Sequence, residues 1–196
     1  MSAVKILAFA GSAREGSFNK KLIKIAVTGA KKAGAEVTLI DLRDYPMPLI
    51  DQDLETKEGM PPNAQKIKEL MVAHDGFLIA SPEYNSSITP LLKNTIDWAS
   101  RKNSPSEAPL LAYKGKVAAL LSASPGNLGG LRSLATVRAI LENIGVLVIP
   151  HQRSISQAGQ AFDPDGNLKD ADQRKEIQEI AKELVTIIEK LKSSSR

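Results

Sequence analysis

The spacing of apolar positions alternates along the chain between an unbroken run and a helical period. Residues 4–10, Val4-Lys5-Ile6-Leu7-Ala8-Phe9-Ala10, form a short apolar run that stops at Gly11 and predicts a buried strand. Over 17–33 the spacing turns helical. Leu22, Ala26, Ala30 and Ala33 share a face, and Gly34 stands just beyond as a stop. Residues 36–41 read as a second strand through Val37, Leu39 and Ile40. The stretch 43–62, rich in proline and acid, reads as a loop. A helix follows over 63–73, with Ile67, Leu70 and Met71 inward, then a third strand over 77–80. The segment 90–100 predicts a helix that opens on Pro90, where a missing N–H does no harm. A fourth strand over 116–122, a helix over 131–143 closed by Gly145, and a fifth strand over 146–149 complete the alternation. Residues 163–167 are a turn by composition. A last helix over 170–192 carries the stripe Ile177, Ile180, Ala181, Leu184, Ile187, Ile188 and Leu191, and 193–196 reads as a frayed tail.

This alternation of strand and helix predicts an α/β fold: a five-stranded parallel sheet covered by helices on both faces, in one domain over 1–196. Open parallel sheets bind ligands beyond the C-terminal ends of their strands. The loops after strands one, three and four are therefore where chemistry is expected.

Composition narrows the chemistry. There is no cysteine, which excludes disulfides, thiolate catalysis and cysteine-held metal or iron–sulfur centres. The apolar N-terminus is short, lacks a basic leader and reads as a strand, not a signal peptide. No run reaches the roughly 18 apolar residues of a membrane span, so no membrane partner is expected and the expected location is the cytoplasm. The net charge is +4, but aromatics are only 4%. Such a chain offers no stacking platform for single strands, and nucleic acid is not an expected partner. A basic surface also suits an anionic cofactor.

Gly11-Ser12-Ala13-Arg14-Glu15-Gly16-Ser17-Phe18-Asn19 follows the first strand and opens a helix. The N–H groups and partial positive charge of a helix N-terminus hold phosphate. Ser12, Ser17 and Asn19 add short polar donors, and Arg14 adds a charged planar fork. Gly11 and Gly16 have Walker spacing, but Ser17-Phe18 replaces the required Lys-Ser/Thr. Ala13 occupies the middle position of a dinucleotide fingerprint, where backbone must approach the pyrophosphate. The alternative is a polar turn in which Ser17 caps the helix.

Ser81-Pro82-Glu83-Tyr84-Asn85-Ser86 follows the third strand. Its prolines stiffen the backbone, Tyr84 offers a flat face, and Asn85 and backbone amides offer edge donors for a heteroaromatic ring. Glu83, with no neighbouring histidine or second carboxylate, is expected to order the loop. Ser122-Ala123-Ser124-Pro125-Gly126-Asn127-Leu128-Gly129-Gly130 follows the fourth strand, where glycines let backbone approach a ligand. Asp97, Trp98, His74 and His151 read as structural, and the acids 51, 53, 55 and 58 as solvated loop charges.

Gly11-Ser12-x-Arg14-x-x-Ser17-x-Asn19, Pro82-Glu83-Tyr84-Asn85, Lys93-Asn94-x-Ile96-Asp97-Trp98 and Gly129-Gly130-x-Arg132 resemble the NADPH-dependent FMN reductase family, over nearly the whole chain. That group includes flavin, quinone, azo-dye and chromate reductases. The resemblance implies a flavodoxin-like three-layer sandwich with strand order 2-1-3-4-5 and bound FMN. It implies that Ser12, Arg14, Ser17, Phe18 and Asn19 hold the phosphate, with Gly11 also among the cofactor-binding residues. Pro82, Glu83, Tyr84, Asn85 and Ser86 would cradle the ring and ribityl chain, and Ser124, Pro125, Gly126 and Asn127 would cover the ring's other edge. It also implies a homodimer or homotetramer, with the Tyr45-Pro46-Met47-Pro48-Leu49 loop reaching a neighbouring subunit's site.

The expected activity is a ping-pong hydride transfer from NADPH or NADH through FMN to a small acceptor: a quinone, free flavin, azo compound or metal oxyanion. The flavin N5 carries the hydride, no catalytic side chain is named, and no metal is expected. Two rivals stand beside it. A nicotinamide-only dehydrogenase would use Asp41 on the ribose. A flavodoxin-type electron carrier would bind flavin without oxidising NADPH itself.

Overall fold

The computed structural model describes residues 2–194. Strands β1 (Lys5–Ala10), β2 (Glu36–Leu39), β3 (Gly76–Ala80), β4 (Val117–Ala123), β5 (Leu147–Val148) and β6 (Arg153–Ile155) form one parallel sheet. The order is β2-β1-β3-β4-β5, with β6 paired to β4. Helices α1 (Phe18–Lys32), α2 (Gln52–Glu58), α3 (Pro62–Ala73), α4 (Pro90–Ser100), α5 (Leu131–Asn143), α6 (Ala158–Ala161) and α7 (Ala171–Ser194) connect and follow the strands. None of them is long and apolar enough to cross a membrane.

The three central strands read as unbroken apolar runs because both of their faces are covered. Alternate side chains leave the sheet in opposite directions. Ile6, Ala8, Leu78, Ala80, Ala119 and Leu121 pack with α1 and α7, whereas Leu7, Phe9, Phe77, Ile79, Ala118 and Leu120 pack with α3, α4 and α5. Gly29 lets α1 and α7 close on each other, since a Cβ there would lie 2.6 Å from the Gln178 Cα. Tyr113 is fully buried and donates its hydroxyl to the Ile96 carbonyl at 3.0 Å. Burial, reinforced by the nearby Asp97 charge, pushes its pKa far up. It is a core group, not a proton donor.

The fifth lane departs from the expected single strand. Val117 pairs with Leu147, and Leu121 pairs with Arg153, so a step of six positions on the outer lane runs beside a step of four on β4. The two extra residues fall within Pro150-His151-Gln152, where proline can donate no ladder bond. The Arg138 guanidinium fills the break, donating to the carbonyls of Val148 and Ile149 and to the Gln152 side chain. The stretch expected as loop over 43–62 contains α2, capped by Asp51, whose carboxylate accepts from the N–H groups of Asp53 and Leu54. Not all of its acids are merely solvated: Glu55 pairs with Arg101 at 2.7 Å. The last helix continues through Ser194, past the expected end at Lys192, so 193 and 194 are helical and not frayed; 195 and 196 lie outside the described residues.

Candidate functional site

Three loops meet at the C-terminal edge of β1, β3 and β4, tied by bonds between residues far apart in sequence. The Gly11 N–H donates to the Ala80 carbonyl and that of Ser81 to the Leu121 carbonyl, which carries strand pairing into the loops. Thr89 Oγ1 donates to the Gly11 carbonyl at 2.6 Å and accepts from the Leu92 N–H, so it caps α4 and fastens the first loop to the second. Gly11 permits this closeness, because a Cβ there would lie 2.9 Å from Leu92 Cβ.

At the first loop, the alternative of Ser17 as a side-chain cap fails. Ser17 stands at the N-cap position of α1, but its hydroxyl makes no cap bond. The first helical bond is Lys21 N–H to the Ser17 carbonyl, and among the described residues the N–H groups of Phe18, Asn19 and Lys20 have no protein acceptor. No acidic side chain stands in that turn. Ser12 Oγ accepts from the Arg14 N–H at 3.3 Å, while the exposed Arg14 guanidinium makes no ion pair among the described residues. Four other helices, by contrast, have their first turns satisfied by Asp51, Thr89, Asp170 and Glu83.

Two side chains expected at the phosphate are engaged elsewhere. The Phe18 ring stacks on Phe162 at 5.7 Å, so only its N–H faces the loop's task. The buried Asn19 carboxamide donates to the Ala123 carbonyl at 2.8 Å and accepts from the Ala123 N–H at 3.0 Å. It works as a short strand partner for the end of β4, and through it the first loop sets where the third begins.

The second loop is a small hairpin. Tyr84 and Ser87 exchange both backbone bonds at 3.0 Å, and Asn85 (φ 51°) and Ser86 (φ 68°) between them are left-handed. That is the geometry of a type I′ turn. Asn suits its first central position, but serine at the second is strained, at a cost on the order of 1 kcal/mol. The N–H groups of Asn85 and Ser86 have no protein acceptor among the described residues, and Tyr84 is 58% exposed. The Glu83 carboxylate, by contrast, is turned inward onto α5.

The third loop corrects one expectation. Gly129 (φ 62°) is pressed against its own chain, since a Cβ would lie 2.6 Å from the Ile155 carbonyl carbon, and Gly130 (φ 88°) lies against Ser122 Oγ. Both serve the turn into α5, not the approach of a ligand. Gly126 has room for a side chain, with Ser124 Oγ 3.8 Å from an added Cβ, and Pro125, Gly126 and Asn127 are exposed. Gln157, which no sequence motif marks, donates its N–H to the Gly126 carbonyl and its amide to Asn127 Oδ1 at 3.4 Å, bracing this loop from just beyond β6.

A groove of about 650 Å³ lies to one side, between Lys20, Lys24, Leu39, Asp41 and Asn167, and reaches the first loop at Glu15 and Ser17. In it Lys20 Nζ donates to Asp41 at 2.6 Å. Burial pushes the Asp41 carboxyl up, but the bonds from Lys20 and the Arg43 N–H outweigh this and hold it below the ordinary carboxylate range. The acid that a dehydrogenase would need on a ribose is thus already occupied. His74 bonds the Leu70 carbonyl and Thr38, His151 meets Glu183, and no group of histidines and acids among the described residues could hold a metal.

Residues 4–160 match the family described as NADPH-dependent FMN reductase. An NAD(P)H-dependent FMN reductase of Pseudomonas aeruginosa is 37% identical over 177 residues, covering 90% of each chain. An NAD(P)H:quinone oxidoreductase of Solanum tuberosum is 34% identical, over 96% of this chain and 95% of that one. Among solved structures, the flavoenzyme NAD(P)H:(acceptor) oxidoreductase FerB of Paracoccus denitrificans superposes with a TM-score of 0.78 at 28% identity, covering 96% of this chain and 98% of that one. The chain belongs to the NADPH-dependent FMN reductase family of oxidoreductases, and its sheet order and helix layers are flavodoxin-like.

The residues present fit the cofactor that the family implies. An uncapped helix start, an unpaired guanidinium and two serine hydroxyls suit a terminal phosphate dianion. Two exposed loops with unused amides flank them.

Proposed function

We propose that the whole chain acts as one FMN-binding domain that passes hydride from NADPH or NADH to a small acceptor such as a quinone, by a ping-pong exchange. The observation that carries this reading is the α1 start, left without a cap while Arg14, in the loop just before it, makes no ion pair among the described residues. Ser12, Arg14, Ser17 and the N–H groups of Phe18, Asn19 and Lys20 hold the phosphate. The hairpin amides and Tyr84 meet one side of the ring, and Ser124, Pro125, Gly126 and Asn127 border the other. Bound FMN would supply the centre that accepts and gives up hydride. The chain's task is to position it and to leave one face open, where donor and acceptor take the same place in turn. The exposed third loop and Tyr84 leave that face shallow, which suits acceptors of several shapes. No nucleic acid or membrane takes part in this reading.

We further read the working form as a homodimer or homotetramer. The Pro48 carbonyl accepts from both Asn94 and Trp98, the Ile50 N–H donates to Asn94, and this bracket presents Leu49 at 75% exposure. We read its location as the cytoplasm, where a reduced nicotinamide donor is at hand.

The test is the absorbance spectrum of the protein after FMN addition and gel filtration, followed by anaerobic NADPH. Flavin bands that co-elute and bleach support the reading. A protein that passes through colourless refutes it, and bands that persist with NADPH favour an electron carrier.

A further inference from the structure

Glu83 is the one charged residue of the second loop, and its side chain is only 9% exposed. Its Oε2 accepts from the N–H groups of Arg132 at 3.0 Å and Ser133 at 3.2 Å. Its Oε1 accepts from Arg132 Nε at 2.9 Å and Nη2 at 2.6 Å. The residue at the N-cap position of α5 is Gly130, which has no side chain to cap with. Glu83 supplies that cap from another loop. A bond in the opposite direction runs alongside, since Ser133 Oγ donates to the Ser81 carbonyl at 3.1 Å.

Tyr84 begins the hairpin directly after this anchor. Its other foot is anchored by Thr89, which bonds Gly11. Between the two feet stand two left-handed residues, neither of them glycine. Such a turn keeps its shape only where its surroundings fix it. One foot is fixed by the buried carboxylate, the other by a buried hydroxyl.

We propose that Glu83 and Arg132 are positioning residues for the flavin ring. The pair locks the Tyr84–Ser87 hairpin onto α5, so the carboxylate serves ring binding without touching the ring. This rests on the FMN reading above. It reassigns Glu83 from a cofactor contact to a support behind one. The phosphate loop has its own anchors, so the pair acts on the ring half of the site alone.

The test uses the full chain and its E83Q, R132K and R14A variants, with FMN and riboflavin titrated by flavin fluorescence and bound flavin read by visible circular dichroism. E83Q is expected to weaken FMN and riboflavin by a common factor of about tenfold, the scale of a lost charge-assisted anchor. The FMN-to-riboflavin affinity ratio stays that of the wild type, and the dichroism of bound flavin changes. R14A instead lowers the ratio. R132K keeps both helix N–H bonds to Glu83 and loses only the fork. It is expected to fold, to weaken both flavins about threefold and to shift the dichroism in the same sense. A lower melting temperature with unchanged affinities and dichroism in E83Q, or in R132K should E83Q not fold, would overturn the proposal. So would an E83Q loss confined to FMN. Failure of the wild-type chain to bind FMN would instead remove the cofactor reading, and the proposal with it.

Discussion

The two ends of the same sheet are built differently. At the N-terminal end of the strands, charges and backbone groups find partners. Asp75 accepts from the Lys5 N–H at 2.8 Å and from Lys192 Nζ at 2.6 Å, while its own N–H donates to the Lys5 carbonyl. Lys116 Nζ donates to the Val72 and His74 carbonyls and so closes the C-terminus of α3. Burial pushes the Lys116 ammonium below its ordinary value; the Asp75 charge opposes this and Lys192 adds to it. At the C-terminal end, Arg14 and the α1 start are left unsatisfied, and Asn85 and Ser86 hold positive φ. One end holds the fold together. The other spends some of that stability on groups aimed at something outside the chain.

The contrast breaks first at Gly129, which lies at the receiving end but is packed like the holding end. Gly129→Ala is expected to cost about 3 kcal/mol of unfolding free energy in a denaturant titration, because the Cβ meets backbone and the positive φ is lost. Gly126→Ala, whose Cβ would meet only Ser124 Oγ at 3.8 Å, is expected to change stability by less than about 0.5 kcal/mol.

Arg14→Ala comes next. The FMN dissociation constant should rise about tenfold to a hundredfold, the scale of charge-assisted bonds to phosphate, with the melting temperature nearly unchanged. A matching fall in melting temperature would move Arg14 to the holding end.

Asp75→Asn probes the opposite end. Burial raises the Asp75 pKa, but Lys192, the Lys5 N–H and Lys116 outweigh it, so the folded value lies below the ordinary one. Its stabilisation is therefore present above the ordinary carboxylate value and is lost as pH falls through the lowered folded value. The variant should lose about 1 kcal/mol at neutral pH and show a flatter acid limb, with FMN affinity intact. A steep acid limb retained in the variant would count against Asp75 as its source.

Ser86→Gly is expected to act in the opposite direction. Relief of the left-handed strain should offset the added chain entropy and raise the melting temperature slightly, by up to about 1 kcal/mol of stability. A lower melting temperature would show that the serine is held there by contacts and not merely tolerated.

Much of the fold was legible because its signals are local. The helix over 90–100 matches α4 residue for residue, and that over 131–143 matches α5. Gly34 and Gly145 mark their helix ends with positive φ. The helix α2 was not legible because Gln52–Glu58 buries no residue; its cap and the Glu55–Arg101 pair hold it, not an apolar stripe. The strand β6 escaped because three residues after a proline carry no period. At the site, the loops were legible but the work of their side chains was not. Asn19 meets Ala123 across 104 positions and Glu83 meets Arg132 across 49, and no local pattern encodes such pairs. Thr89 before Pro90 was the one missed anchor with a readable signal, a capping residue ahead of a helix-opening proline.

The interrupted outer lane bears on how copies of this chain can meet. A smooth, long edge strand invites a neighbour to extend the sheet, and proteins avoid this with short or broken edges. Here one margin is β2, four residues long, and the other is divided at Pro150 with Arg138 plugging the gap. Neither margin offers a template for endless strand-by-strand growth. The surfaces left for contact between copies are helices and loops, not the sheet margins.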